Sequence, residues 1–390
     1  MNSGARLRNL HLAQALAERC SVTLLQILQP GEKTVADDRA SVFDKCLAVS
    51  KGQSYTPMSI LKGLLGPTPL TVLNYTSAEV SGALSNLLAT QQFDSVQLES
   101  SHLFSYLQLI HAAPSHPPVL LDWHNIESEL MTRYASETKS LPKKLIAYRT
   151  ATLLGKLEAR LIRRCQYHTV VSEREQQKLL SQDPGAQVTV IPNGVDAKAF
   201  TPRQSVNNAE NLLFVGSMDY HANIDAVTWF TKTAWPIISE RRPHLHFTIL
   251  GRSPDPAVRS LASDKVHVTG TVEDVRPFYA NAVAVMVPLR VGGGTRLKIL
   301  EAMAMGVPVI STTLGAEGIL AHDGEDILFA DSAEAMADAL DRMLSQPLLR
   351  QRLIASARRL VSEHYDWSSI GDRLFHIHSK LIHARMSHSY

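Results

Sequence analysis

Pro288-Leu289-Arg290-Val291-Gly292-Gly293-Gly294-Thr295-Arg296-Leu297-Lys298-Ile299-Leu300-Glu301-Ala302-Met303-Ala304-Met305-Gly306-Val307-Pro308 is the stretch on which the fold turns. A short apolar strand at 283–287 runs into it, three glycines follow, and a helical pattern begins at about Thr295 and continues to Met305. Glycines let a backbone come close to a ligand, and a helix start offers free N–H groups and the positive end of a dipole. Arg296 and Lys298 add cationic donors there, so the segment reads as a pyrophosphate cradle. Glu301 lies one turn further, placed to accept hydrogen bonds from ribose hydroxyls. The plainer reading is a Gly-rich loop with two solvated cations. A Walker A loop is excluded because no Gly-Lys-Ser/Thr occurs. The GxGxxG dinucleotide fingerprint is excluded because Gly-Thr-Arg replaces its last spacing.

Working outward, the pattern alternates strands and helices, as in parallel sheets covered by helices on both faces. In the second half, strands are expected at 211–215, 246–250, 266–269, 283–287 and 308–311. Helices are expected there at 224–235, 257–262, 275–280, 296–305, 333–345 and 348–363. In the first half the strand candidates are 22–28, 95–98, 119–122 and 168–171, with helices at 78–89, 128–135 and about 143–164. Between the halves, a strand at 188–191 ends in the turn signal Pro192-Asn193-Gly194, and a polar linker follows at 204–210. The expected division is one α/β domain over 1–190, a second doubly wound domain over 191–365, and a last helix over 366–390.

The composition agrees. At about 150 residues per domain, a chain of 390 residues makes two or three domains. With 45% hydrophobic and 19% charged residues it is too apolar to be disordered. A net charge of +2 argues against a protein whose main partner is nucleic acid. Cys20, Cys46 and Cys165 lie far apart, without CxxC or Cys/His ligand spacing, and read as reduced thiols. No apolar run approaches the roughly 18–20 residues that span a bilayer, and Met1-Asn2-Ser3-Gly4-Ala5-Arg6 has no signal-peptide core. The expected location is the cytoplasm, with peripheral contact at the inner face of a membrane as a further expectation.

At this point the second half resembles the donor-binding domain of retaining GT-B glycosyltransferases of family 4. The resemblance rests on Ile191-Pro192-Asn193-Gly194-Val195-Asp196, Phe214-Val215-Gly216, Leu250-Gly251 and Val268-Thr269-Gly270-Thr271-Val272. Leu300-Glu301-Ala302-Met303-Ala304-Met305-Gly306-Val307-Pro308-Val309-Ile310 and Gly315-Ala316-Glu317-Gly318-Ile319 complete it, in the family's order. The first half matches more weakly, through Ser3-Gly4-Ala5-Arg6, Asp122-Trp123-His124-Asn125 and Thr169-Val170-Val171-Ser172. The resemblance implies two Rossmann-like domains facing a cleft. A nucleotide-diphosphate sugar would sit on the C-terminal domain and a glycan or lipid-linked acceptor on the N-terminal one. Transfer would proceed with retention, in polysaccharide, glycolipid or envelope glycan synthesis, and the last helix would cross back to the first domain. No D-x-D triplet occurs, as in a family that uses protein cations and helix dipoles rather than a metal or other cofactor to steady the leaving diphosphate.

The chain departs from the family pattern at three positions. The first carboxylate of the usual E-x7-E pair falls at Gly293, and the usual Arg and Lys after the first C-domain strand fall at Ser217 and Ala222. Arg296 and Lys298 are therefore expected to replace those phosphate cations. By the same carry-over, Gly216, Ser217, Val272, Gly293, Gly294 and Thr295 belong to the donor site, and Gly4 and Arg6 to a loop approaching the donor phosphates. In Ser217-Met218-Asp219-Tyr220-His221-Ala222-Asn223, Asn223 reads equally as a donor contact or as the cap of a helix starting near Ile224. His124 ends a strand where the family often places a His, so it joins Arg296, Lys298 and Glu301 as a catalytic candidate. Glu127 reads as a helix-start acid.

Lys143, Lys144, Arg149, Lys156, Arg160, Arg163 and Arg164 mark a basic helix with Leu153, Leu154, Leu157, Leu161 and Ile162 along another face. It reads either as a membrane-surface helix or as a solvated face packed on its domain. Two further readings of the whole chain stay open beside the transferase: a GT-B-fold nucleotide-sugar epimerase, and a non-catalytic nucleotide-sugar-binding relative. Relatives also begin with an apolar strand and loop before the Ser-Gly-Ala-Arg segment. The expectation is that Met1 is an internal start and that one central strand is missing from the given sequence.

Overall fold

The computed structural model describes residues 4–28, 42–52, 56, 61–63, 65–138, 140–202, 210–291 and 296–387. The expectations on Gly293, Gly294 and Thr295 lie outside these residues. The chain divides into two compact units, Met1–Pro192 with Ile370–Tyr390, and Asn193–Ser369.

In the first unit, β1 (Thr23–Leu28) pairs in parallel with β2 (Lys45–Ser50) as a sheet of two strands. A separate parallel sheet holds β3 (Val96–Glu99), β4 (Val119–Trp123), β5 (Tyr167–Val170) and β6 (Val188–Val190), in that order. All five residues of β4, Val-Leu-Leu-Asp-Trp, are buried, as expected of a parallel strand covered on both faces. β2 escapes the sequence pattern because Lys-Cys-Leu-Ala-Val-Ser is short and half-exposed. The last helix, Trp367–Ser387, belongs to the first unit from Ile370 onward. It docks through His378, whose ring nitrogens meet Gln97 Oε1 at 2.9 Å and Ser95 Oγ at 2.8 Å beside β3. Burial pushes that ring down to about 4, so it is neutral at pH 7. Gly371 lies against the helix Gly4–Ala17, where an added Cβ would come within 2.4 Å of Ala15 Cβ.

The second unit is one parallel sheet in the order β12 (Leu328–Phe329), β11 (Val309–Ser311), β10 (Ala282–Val287), β7 (Asn211–Val215), β8 (His246–Leu250), β9 (Val266–Gly270). Read from β9, this is the 3-2-1-4-5-6 order of a Rossmann sheet, with its direction of winding reversing between β7 and β10. β10 is buried along its whole length, and its core is continuous with the buried faces of the flanking helices.

Two of the helix boundaries that differ from the sequence pattern bear on the site. The helix expected over 224–235 begins at His221 and runs on to Arg241 through a π-helical turn at Phe230–Ala234. Pro236 looks like a stop in sequence, but the wider turn before it accommodates the missing N–H and the bulk of its ring. The helix of the Gly-rich motif starts at Leu297, not Thr295, and ends at Ala304, with Arg296 at its cap position. Its end is set by Gly306 at φ +71, with Val307 N–H donating to Ala302 O at 2.9 Å and Gly306 N–H to Met303 O at 3.1 Å.

Gly371→Val is expected to lower the stability of the first unit by about 1–3 kcal/mol, because the added branches meet Ala15 in a packed helix contact. Urea unfolding followed by circular dichroism would measure it, and an unchanged midpoint would show that the last helix gives way freely.

Candidate active site

In the second unit the site lies at the C-terminal ends of β7 and β10, where open α/β sheets bind ligands. β7 runs out at Gly216, whose N–H donates to Leu250 O at 3.0 Å. A Cβ on Gly216 would stand 2.7 Å from Asn223 Nδ2 and 3.1 Å from Lys298 Nζ. A Cβ on Gly251, at the end of β8, would stand 1.6 Å from Gly216 O. Both glycines are required because other groups already fill those places. Ser217 Oγ donates to Asp219 Oδ1 at 2.6 Å and accepts from Arg252 Nε at 2.8 Å, which brings a further cation to this loop.

Of the two sequence readings of Asn223, a donor contact or a helix cap, the structure removes the second. It is not a cap: the helix His221–Trp229 begins before it, and its side chain is buried within the first turn. Its Nδ2 donates to Ser217 O at 2.9 Å, and its Oδ1 accepts from Lys298 Nζ at 3.0 Å. The same ammonium lies 3.9 Å from the centroid of the Phe214 ring. Burial, reinforced by the nearby Arg296 charge, pushes Lys298 down to about 7, while Glu301 pulls the other way. Lys298 thus titrates near neutral pH. Arg296 is 7% exposed, and burial lowers its pKa against the opposing influence of Tyr220 and Glu317.

Glu301 accepts from Tyr279 Oη at 2.7 Å. Burial raises the Glu301 carboxyl, with that hydrogen bond and Lys298 opposing, and the same setting holds Tyr279 protonated. Val272 follows β9 and packs partly against the core. The structure therefore brings Gly216, Ser217, Lys298 and Glu301 into one neighbourhood with Asn223, which the sequence left between two readings, and with Tyr279, which carried no sequence signal.

In the first unit the strand ends carry a second polar cluster. Asp122 is fully buried in β4 and receives Arg8 twice, Nε to Oδ2 at 2.7 Å and Nη2 to Oδ1 at 2.8 Å. Thr169 Oγ1 donates to Asp122 Oδ1 at 2.6 Å, and Arg8 Nη1 donates to Pro192 O at 3.0 Å. Burial opposes the carboxylate, but Arg8 outweighs it and holds the pKa below the usual range. Gly4 and Arg6 fall in the first turns of the helix Gly4–Ala17, and the Arg6 side chain lies outside the described residues. In that helix Arg8, two residues beyond the motif, is paired with Asp122.

His124 Nε2 lies 3.1 Å from Glu99 Oε2 and 3.5 Å from Asp122 Oδ2. Burial works against the charged ring, but the Glu99 hydrogen bond and the two carboxylates raise its pKa above the ordinary value. Glu99, at the end of β3, was invisible in sequence. Glu99, Asp122 and His124 are close enough to hold a cation, but Arg8 already supplies the charge and the donors that satisfy Asp122. Glu127 does start a helix, Glu127–Glu137, and burial together with Glu158 pushes it up to about 7.

Residues 3–199 match the family described as Glycosyltransferase Family 4, and residues 209–346 match Glycosyl transferases group 1. The chain belongs to glycosyltransferase family 4. It is 27% identical over 205 residues to a phosphatidyl-myo-inositol mannosyltransferase of Mycobacterium leprae, covering 50% of this chain and 54% of that one. It is also 27% identical over 215 residues to a GDP-mannose-dependent monoacylated alpha-(1-6)-phosphatidylinositol monomannoside mannosyltransferase of Corynebacterium glutamicum, covering 48% and 55%. The chain spans about half the length of the curated relatives it matches. Among solved structures it is similar to sucrose-phosphate synthase from Thermosynechococcus elongatus, with TM-score 0.71 and 18% identity over 98% of this chain and 94% of that one. The Anabaena protein HepE, solved with UDP and glucose, aligns with TM-score 0.64 and 15% identity over 97% and 96%. At these identities the likeness shows the fold, which is GT-B with two Rossmann-like domains.

Arg8→Met is expected to cost about 3–5 kcal/mol, since it leaves the Asp122 carboxylate buried without its partner. Restoring an uncharged pair with Asp122→Leu in the same chain should recover part of that loss. Chemical denaturation of the two variants compares them, and equal stability of Arg8→Met and wild type would show that water reaches the carboxylate.

Proposed function

We propose that this chain is a retaining glycosyltransferase that moves a sugar from a nucleotide-diphosphate sugar to a hydroxyl acceptor. The observation that carries this reading is the arrangement at the β7–β10 reversal. Gly216 clears the space, Asn223 fixes Lys298, and Arg296 stands at the start of the same helix. As the glycosidic bond breaks, negative charge builds on the departing diphosphate, and donors already aimed at it stabilise the transition state without reorganising. Arg296 and Lys298 are those donors here, and Glu301, held by Tyr279, is the acceptor for donor hydroxyls. Gly216, Ser217, Val272, Gly293, Gly294 and Thr295 complete the donor site in this reading, and Gly4 and Arg6 are further candidates for donor contact.

In the first unit, His124 is the catalytic candidate in this reading. No metal or other resident cofactor enters it. The names of the mannosyltransferase relatives describe inositol-lipid acceptors, which supports a glycan or lipid-linked acceptor in polysaccharide, glycolipid or envelope glycan synthesis. The domain division proposed from sequence, at about residue 190 with the last helix returning to the first domain, fits the same scheme. So does action in the cytoplasm.

A panel of nucleotide-diphosphate sugars tests the reading and separates it from its alternatives. Released nucleotide supports transfer, an altered sugar points to epimerisation, and binding alone points to a non-catalytic protein. Arg296→Ala with Lys298→Ala should reduce turnover by about 100-fold or more. Near-normal turnover in that variant would remove the two cations from the mechanism.

Lys298 gives the pH dependence. An anionic diphosphate binds best while the ammonium is charged, so donor affinity should fall as pH rises through about 7. Lys298→Met should bind more weakly and flatten that step. Calorimetric titration with the nucleotide diphosphate from pH 6 to 9 measures both, and a step that persists in Lys298→Met would assign it to another group.

A further inference from the structure

The basic helix of the sequence, Leu141–Arg164, proves to have two different parts. From Ala147 onward its apolar face is core: Leu154, Leu157, Leu161 and Ile162 are buried inside the first unit. Those leucines are not available to a membrane, as in the second of the two sequence readings, a helix packed on its domain. The first two turns are the reverse. Leu141 is 74% exposed and Leu145 is 71% exposed, with Ile146 and Tyr148 also exposed beside them. Arg149 Nη2 donates to Gly66 O at 2.7 Å, which brings up Leu61 and Leu65, the latter 77% exposed. The neighbouring helix Glu127–Glu137 adds exposed Tyr134.

Along the exposed turns of this helix the charge has one sign. Residues 141–156 contain Lys143, Lys144, Arg149 and Lys156 and no Asp or Glu, and Lys62 lies between Leu61 and Leu65. The helix has one acid, Glu158, and it is turned inward, accepting from Ser128 N–H at 3.0 Å and from Ser128 Oγ. Exposed leucines and tyrosine ringed by lysines fit an interface with hydrocarbon beneath and negative headgroups around it. A second copy fits poorly, because a two-fold contact would press this basic ring against itself.

We propose that the end of the first unit formed by Leu61, Leu65, Leu141, Leu145 and Tyr148 docks on an anionic lipid bilayer. The leucines enter the headgroup boundary, and Lys62, Lys143, Lys144 and Arg149 contact the lipid phosphates. The contact is peripheral, since among the described residues no helix is long and apolar enough to cross a membrane. It is independent of which sugar is transferred, and its test does not use the transferase reaction.

The test is flotation of the full chain with vesicles of phosphatidylglycerol and phosphatidylcholine, against phosphatidylcholine alone. Partition onto the anionic vesicles, weakened by raising the salt, is expected. Leu141→Ser with Leu145→Ser should lower that partition about tenfold while the thermal melt stays unchanged, since both side chains are exposed. Lys143→Gln with Lys144→Gln gives an independent loss, confined to the anionic vesicles. Absence of partition, equal partition of the Leu141→Ser, Leu145→Ser variant, or a concentration-dependent dimer abolished by that variant would each overturn the proposal.

Discussion

At the end of β7 a polypeptide backbone, an amide and an ammonium compete for one small volume. Gly216 has no side chain, and the space it leaves holds Asn223 and Lys298, while Gly251 lets the next strand end come against Gly216 O. The rest of the arrangement at these strand ends depends on this crowding. Asn223 is oriented by Ser217 O and in turn orients Lys298, the Phe214 ring lies beneath the ammonium, and Glu301 is held one turn along by Tyr279. A cation packed this tightly loses hydration, which is why Lys298 titrates near 7 rather than at the value of an exposed lysine.

The first unit solves a related problem with opposite charges. Asp122 sits in a fully buried strand, where an unaccompanied carboxylate would be costly, and Arg8 reaches it from a separate helix with two hydrogen bonds. The pair fixes that helix against the strand end. His124 follows in the next residue but one and takes its second partner from Glu99 on the neighbouring strand. The ring is thereby held beside two carboxylates, which favours its charged form.

Much of the fold was legible in advance because parallel strands buried on both faces leave continuous apolar runs, as in Val119-Leu120-Leu121 and Ala282 to Val287. Gly306-Val307-Pro308 announced a helix end, and the left-handed turn is there. Less was legible where one residue type serves several purposes. Asn223 has the composition of a cap, yet its helix starts earlier and the amide serves Lys298. Pro236 has the look of a stop, yet a π turn carries the helix past it. Leu153 to Ile162 read either as a membrane-surface face or as one packed on its domain, and burial decides mostly for packing.

The sequence by itself determined the alternation of strands and helices, the family through its ordered glycine and proline motifs, and the identity of the cations beside the Gly-rich turn. These are local matters of backbone freedom, apolar periodicity and charge. Only the tertiary structure decided that Arg8 answers Asp122 over 114 positions, that Glu99 turns toward His124, and that Lys298 is enclosed rather than solvated. It also decided which turns of the basic helix are core and which stand exposed at its end. Those facts follow from which strand ends lie side by side in a parallel sheet, and crossover connections place residues there that are far apart along the chain.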